Sequence, residues 1–291
     1  TFMPTISLDT VKSLVNYLTV SGIEKSILLK EIGLSEQQLS QSGELVDIEH
    51  YERLYKIAEK ELARKDIGFE FGKTIEPSHW GVLGYIAFTA PTLKDALINH
   101  QKYQTLVGNQ GTPVQEFQQN NMILKWIPAY HCSHHTVEEI LTGWVAMAKK
   151  LSNNTIQPLT IYFNHSCQTN VEQYQEFFGC EVRFDSDYNA IEIEKTVLDT
   201  PYTRYDAEIY NLLCQHASMR INNLVEKSPV EVITQLIRNQ LPLGVPEIDI
   251  AAQNLQMSVR TLQRKLGENQ LTFSGLIDTI RKDLAITYLQ T

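Results

Sequence analysis

Arg260, Gln263 and Arg264 are spaced at i, i+3 and i+4, so a helix carries all three on one face. A guanidinium gives two parallel hydrogen bonds to guanine O6 and N7, and a carboxamide pairs similarly with adenine. The triplet therefore suits base edges in the major groove of DNA. Thr261 and Lys265 beside it are placed to meet phosphates. Val259, Leu262 and Leu266, at i, i+3 and i+7, supply an apolar face for packing. With Ser258 as a good N-cap, the spacing predicts a base-reading helix over residues 259–267. A solvated face in a small helical bundle has a similar composition, and the cap and the small-residue helix before it favour DNA.

Other groups offer less. His131, Cys132, His134 and His135 form the densest run of metal-ligating types, but nothing in their spacing makes four donors, or three and a water, converge. They read as surface histidines before a helix starting near Thr136, and no metal is expected. Cys132, Cys167, Cys180 and Cys214 contain no C-x-x-C pair, so they read as reduced, mostly buried thiols. No G-x-S-x-G, P-loop or G-x-G-x-x-G string occurs, and catalysis has no support. Ser78-His79-Trp80, Tyr85, Phe88, Trp126, Trp144 and Tyr162 are rich enough in aromatic surface to line an apolar pocket. Trp80, Tyr85, Phe88, Trp126 and Trp144 are the candidate ligand contacts, with core packing as the alternative role.

The elements that must position these groups follow from the patterning. Residues 7–75 are mainly helical, with Leu54, Ile57, Ala58 and Leu62 at i, i+3, i+4 and i+8. Gly81 to Ala90 reads as a buried helix ended by Pro91, and Leu93 to Leu106 as another. Val114–Phe117 and Met122–Ile127 read as a hairpin about Asn120-Asn121, a dipeptide that accepts positive φ. Leu159–Asn164, Glu181–Phe184 and Ala190–Ile193 read as further strands, with helices over residues 137–151 and 171–178. Gly22 to Gln41 imitates a helix-turn-helix capped by Ser35, but its basic residues are only Lys25 and Lys30, so it belongs with the sensor. The expected architecture is an α+β N-terminal domain, residues 1–222, followed by an all-α helix-turn-helix domain, residues 228–291.

Between them, Asn222-Asn223 and Ser228-Pro229 punctuate a polar stretch, and Ser228 with Glu231 makes a capping-box pattern. Pro229 to about Leu241 should bury Ile233, Leu236 and Ile237, and Leu241 to Pro246 should break that helix. The next helix carries Ile248, Ala251, Ala252 and Leu255, with a tight turn at Gln256-Met257. Residues 272–291 place Phe273, Leu276, Ile277, Ile280, Leu284 and Tyr288 on one long stripe.

A net charge of −9 is unusual for a protein that meets nucleic acid. Its distribution resolves the conflict. Residues 228–291 hold six basic side chains (Arg238, Arg260, Arg264, Lys265, Arg281, Lys282) and six acidic ones (Glu231, Glu247, Asp249, Glu268, Asp278, Asp283), so the excess lies upstream. No apolar run is long enough to span a membrane and no secretory signal opens the sequence, so a cytoplasmic location is expected.

The run from Ile250 through Met257-Ser258-Val259-Arg260-Thr261-Leu262-Gln263-Arg264-Lys265-Leu266, followed by Thr272-Phe273-Ser274 and Arg281, resembles the first helix-turn-helix of the AraC/XylS family. Tyr174 to Phe184, with Phe177-Phe178-Gly179-Cys180, and Leu198-Asp199-Thr200-Pro201 resemble the arabinose-binding-like, non-cupin regulatory domain of one branch. The resemblance implies a bacterial, ligand-responsive transcription regulator in which Arg260, Gln263 and Arg264 face the major groove. It implies double-stranded DNA and a small-molecule effector as partners, with a homodimer and, for an activator, RNA polymerase as further ones; it implies no cofactor. A binding or interaction module with a vestigial DNA-binding region is the alternative. Family members usually carry Gly where Gln270 stands, so Asn269 is expected to take the left-handed cap. They also have a second helix-turn-helix after the linking helix, so a sequence stopping at Thr291 and starting without Met is expected to be a fragment.

Overall fold

A computed structural model describes residues 4–227, 229–241 and 244–289. The chain opens with strand β1 (Thr5–Ser7), helices α1 (Leu8–Val20), α2 (Lys25–Ile32) and α3 (Glu36–Leu39), strand β2 (Leu45–Asp47) and helix α4 (Ile48–Leu62). β1 and β2 pair antiparallel. Val11, Leu14, Val15 and Leu18 of α1 meet Leu28 and Ile32 of α2 and Leu54, Tyr55 and Ala58 of α4 in one core. Residues 22–41 thus form a helical pair that packs on the N-terminal core through Ile23, Leu28, Leu29, Ile32 and Leu39, and the Ser35 cap is real, reciprocated by Gln38.

Helices α5 (Ile67–Gly72), α6 (Gly81–Thr89) and α7 (Leu93–Tyr103) lead to the hairpin β3 (Gly111–Phe117) and β4 (Asn121–Pro128). Phe117 pairs with Met122, leaving a four-residue loop closed by Gln118 N–H to Asn121 O. Neither Asn120 nor Asn121 adopts positive φ, contrary to the sequence expectation. A four-residue loop is commonly built around a turn with negative φ at its central positions, which relieves the demand a two-residue turn makes.

Next come α8 (His134–Leu151), β5 (Thr160–Tyr162), α9 (Val171–Phe178), β6 (Glu181–Arg183) and β7 (Asn189–Glu194). The sheet order is β3-β4-β7-β5-β6. Only β5 and β6 run parallel, and α9 supplies the crossover such a pair needs. α8 carries much of the packing, burying Val137, Leu141 and Val145 against the sheet and Met147 and Leu151 against the first core.

Helix α10 (Ala207–Lys227) follows, then α11 (Pro229–Gln240), α12 (Ile248–Asn254), α13 (Val259–Gly267) and α14 (Phe273–Leu289). Ala217 and Ile221 of α10, Ile233 and Ile237 of α11, Ala251 and Ala252 of α12, Leu262 and Leu266 of α13, and Leu276, Ile277 and Ile280 of α14 share one core. That core also takes Leu83 and Ile86 from α6 and Tyr103, Leu106 and Val107 from the end of α7 and the turn after it. The helical region is therefore packed directly on the sensor. The expected cap Ser228, together with Pro242 and Leu243 of the expected break, lies outside the described residues, as does the side chain of Tyr288.

All four cysteines are free, and each is half-buried where the sequence suggested mostly buried thiols. No helix among the described residues is long and apolar enough to cross a membrane.

Candidate DNA-reading face and effector cavity

Helix α12 ends at Leu255, whose N–H reaches the Ala251 carbonyl, and Gln256 turns the chain with φ of 54°. Met257 N–H returns to the Ala252 carbonyl, so the two small alanines lie where the chain folds back. Ser258 Oγ then accepts from Thr261 N–H at 3.2 Å and starts α13.

Within α13 the division of faces is clean. Leu262 and Leu266 are buried, Val259, Thr261 and Lys265 are half-buried, and Arg260, Gln263 and Arg264 are exposed together. Burial of one face fixes the helix, so the outward side chains hold their direction without contacts of their own. Arg264 pairs with Glu268 one turn on. At the end of α13, Gln270 itself adopts φ of 58°, while Asn269 does not enter the left-handed region. The cap therefore stays where the family places Gly, and Leu271 N–H closes it on Leu266 O at 3.0 Å.

An ion pair with one buried member braces the unit from behind. The Arg238 guanidinium, on α11, lies 3.5 Å from Asp283 of α14, and desolvation lowers the pKa of this buried arginine. Removing Asp283 would leave the buried guanidinium without this partner, which is what ties α11 to α14 here.

The sensor holds a cavity, open at a mouth and lined almost entirely by apolar surface. Leu83 and Ala87 come from α6, Ala96, Leu97 and His100 from α7, Trp144 and Val145 from α8, and Met122, Leu124, Ile191 and Ile193 from the sheet, with Trp80 and Tyr202 at other points of the wall. Trp80 and Trp144 thus line it as candidate ligand contacts. The other three candidates do not. Tyr85 points outward with 46% of its surface exposed, Phe88 packs against the first core, and Trp126, on β4, is buried in the core between the sheet and α8. Helical phase explains Tyr85, since α6 turns Leu83 and Ala87 inward and leaves residue 85 on the other side.

Sequence reasoning missed His100, Leu97 and Tyr202. The signal in α7 is a double one: Ala96, Leu97 and His100 face the cavity, while Asn99 and Tyr103 face α10. His100 Nδ1 is buried without a hydrogen-bond partner, its ring stands edge-on to Trp144, and burial pushes its pKa down to about 4. The imidazole is therefore neutral at physiological pH.

Helix α10 is strapped to this wall. Asn99 Nδ2 donates to the Tyr210 hydroxyl at 2.6 Å, and the Tyr103 hydroxyl donates to Cys214 O at 3.2 Å and meets Ser218 Oγ at 3.0 Å. Arg220 donates to the Gly43 carbonyl at 3.0 Å. Beyond it, Asn109 Nδ2 donates to Gln235 Oε1 of α11.

A separate set of buried polar groups clusters on α8. Tyr51 and Tyr55 both donate to Glu139 Oε2, at 2.5 and 2.6 Å, and His79 Nε2 meets Oε1 at 2.8 Å. Tyr174 donates to Glu138 at 3.0 Å. The sequence's histidine run disperses around them. His135 stacks on Tyr55 and reaches Glu59, and His134 reaches the Lys65 carbonyl. Among the described residues no three His, Cys, Asp or Glu side chains converge as for a metal. These contacts join helices across the sensor and are structural.

Residues 22–202 match the family described as the arabinose-binding domain of AraC transcription regulators, N-terminal. The ornithine utilization regulator of Pseudomonas aeruginosa is 19% identical over 284 residues, which cover 96% of this chain and 84% of that protein. The HTH-type transcriptional regulator VirS of Mycobacterium tuberculosis is 28% identical over 127 residues, 44% of this chain and 37% of VirS. The crystal structure of the transcriptional regulator CdpR from Pseudomonas aeruginosa shares the fold, with a TM-score of 0.53 at 15% identity over 97% of this chain and 85% of that one. The relatives are transcription regulators, not enzymes.

Proposed function

The chain belongs to the AraC family of DNA-binding transcription regulators controlled by small-molecule effectors, and from that membership we propose that α13 is its base-reading helix. Arg260, Gln263 and Arg264 enter the major groove, while Thr261 and Lys265 set the register on phosphates. The observation that carries this reading is the joint exposure of those three side chains opposite the buried Leu262 and Leu266. Such a regulator works on chromosomal DNA in the bacterial cytoplasm, and as an activator it would also meet RNA polymerase.

Self-association is part of the reading. Ile209, Leu212 and Met219 lie on α10 with 48%, 64% and 57% exposure, an apolar face that a second copy of the chain would cover. Sedimentation of wild type and Leu212→Glu tests this part, which fails if both are monomers at every concentration.

The test of DNA reading is a fluorescence-anisotropy titration on DNA upstream of the chain's own and neighbouring genes, across a salt series. One fragment should bind well above random DNA. Absence of any preference, with and without cell extract, would sink the proposal.

A further inference from the structure

The cavity wall has a composition that selects among effectors. Leu83, Leu97, Trp80 and Trp144 present hydrocarbon and ring faces, and among the described lining residues there is no Lys, Arg, Asp or Glu. Apart from the indole N–H donors of Trp80 and Trp144, the polar side-chain groups of the wall are His100 and Tyr202. Neither side chain has a hydrogen-bond partner in the protein: His100 Nδ1 is buried and unpartnered, and burial leaves the ring uncharged. The Tyr202 hydroxyl keeps its proton, since burial raises its pKa.

We propose that this cavity is the effector site and that it takes an uncharged, mainly hydrocarbon molecule with one hydrogen-bonding group, satisfied by His100 or Tyr202, and not a sugar or a charged amino acid. The proposal rests on the reading of the chain as an effector-controlled regulator. It departs from what the names of the matching domain and of the ornithine utilization regulator say of those proteins. A pentose would bury several hydroxyls against a wall whose polar side-chain groups are His100, Tyr202 and the indole N–H donors of Trp80 and Trp144, with no charged group among them, and each unpaired hydroxyl weakens binding by about tenfold or more. An ammonium or carboxylate would find no counter-charge.

Probes of defined chemistry test this on the full chain: 1-hexanol, 1-octanol and 1-decanol, with decanoate, L-arabinose and L-ornithine beside them. Trp80 and Trp144 in the wall make intrinsic fluorescence a direct readout, and thermal melting is the second. The alkanols should saturate, with affinity rising about fourfold per methylene until the cavity is filled. Decanoate at neutral pH should bind at least about tenfold more weakly than 1-decanol, because its charge must be buried unpaired. Ala148→Phe, which fills the cavity from α8, should abolish saturation while leaving the melting transition cooperative. Should that variant fail to fold, Leu97→Trp blocks from α7. Unchanged alkanol binding in a folded blocking variant overturns the assignment, and so does saturable binding of arabinose or ornithine where 1-decanol has none. DNA anisotropy on the same samples separates the two readings. Sequence-preferring DNA binding without alkanol saturation overturns the cavity proposal alone. Saturable alkanol binding without DNA preference supports the cavity and overturns the regulator reading beneath it.

Discussion

Asn109 donates its side-chain amide to Gln235 Oε1 at 2.6 Å, joining the segment before β3 to the first helix beyond α10. The same Asn109 accepts at its carbonyl oxygen from the Thr5 backbone N–H and hydroxyl, and Gln235 in turn donates to Asn239 at 2.8 Å. A four-residue chain of amides therefore crosses from the N-terminal strand to α11. Asn109→Ala leaves polar partners half-buried and unpaired, and should destabilise the protein by about 1–3 kcal/mol. A double-mutant cycle with Gln235→Ala, read by urea unfolding, should give a coupling of about 0.5–1.5 kcal/mol. Additive losses would mean that the contact carries no energy across the junction.

Arg264 is paired with Glu268, so on the reading proposed above it would meet DNA only by sharing or leaving that carboxylate. Both side chains are more than half exposed, so the pair is worth no more than about 1 kcal/mol. Glu268→Gln should tighten operator binding a few-fold by freeing the guanidinium and removing an acid near phosphate. Arg264→Ala should cost about 1–3 kcal/mol of discrimination at the base it reads. Anisotropy against matched and single-base-changed sites measures both. Equal loss on all sequences after Arg264→Ala would make that side chain a phosphate contact instead.

Gln270 occupies the left-handed region with a Cβ that the conformation disfavours. Gln270→Gly removes that penalty at the cost of a freer unfolded chain, and the balance should be a gain of about 0.5–1 kcal/mol. Gln270→Val should lower stability. Thermal melting of the two variants checks the sign.

Glu138 is buried and its carboxyl is pushed up to about 8 from 4.5, chiefly by desolvation. Tyr174, the Phe69 backbone N–H and, at 3.8 Å, His165 face it, with Asp66 adding repulsion. A raised carboxyl binds its proton more tightly in the folded state. Its stabilisation is full below pH 4.5 and is lost as pH rises through 8. His100, His135 and His165, each pushed down to about 4 from 6.5, act in the opposite sense: their contribution is present above pH 6.5 and lost on acidification towards 4. Between pH 6.5 and 8 the Glu138 effect therefore dominates among these groups, and stability should fall by about 2 kcal/mol. In Glu138→Gln the slope over that window should flatten, as denaturant midpoints at several pH values would reveal.

The helical region was largely legible because its signals are local. Ser258 caps α13, Ala251 and Ala252 mark the close turn, and a 3.6-residue period separates Leu262 and Leu266 from Arg260, Gln263 and Arg264. The strands and α8 were legible for the same reason. The cavity was not, because its wall gathers residues from α6, α7, α8 and the sheet, and only the tertiary arrangement says which aromatic faces inward. Trp126 and Trp144 are equally aromatic in sequence, yet one is core and the other wall. Gln270 was misread because a composition rule moved the cap to the neighbouring Asn269, whereas the Leu271–Leu266 bond holds it at residue 270 whatever its side chain.

Helix α7 is a party wall. One side of it touches whatever fills the cavity, and the other is bonded to α10 through Asn99 and Tyr103. Leu83 of α6 has the same dual tenancy, lining the cavity while sitting in the core that holds α11 and α13. If the cavity takes the effector as proposed, substitutions on α7 or at Leu83 should alter the resting level of the switch as well as its ligand. On the opposite side of the chamber, Met122, Leu124 and Ile193 of the sheet belong to the core around α8 and, among the described residues, not to the one that holds α11 and α13. A lineage adapting this regulator to new small molecules, or an engineer doing so, has its free choices there.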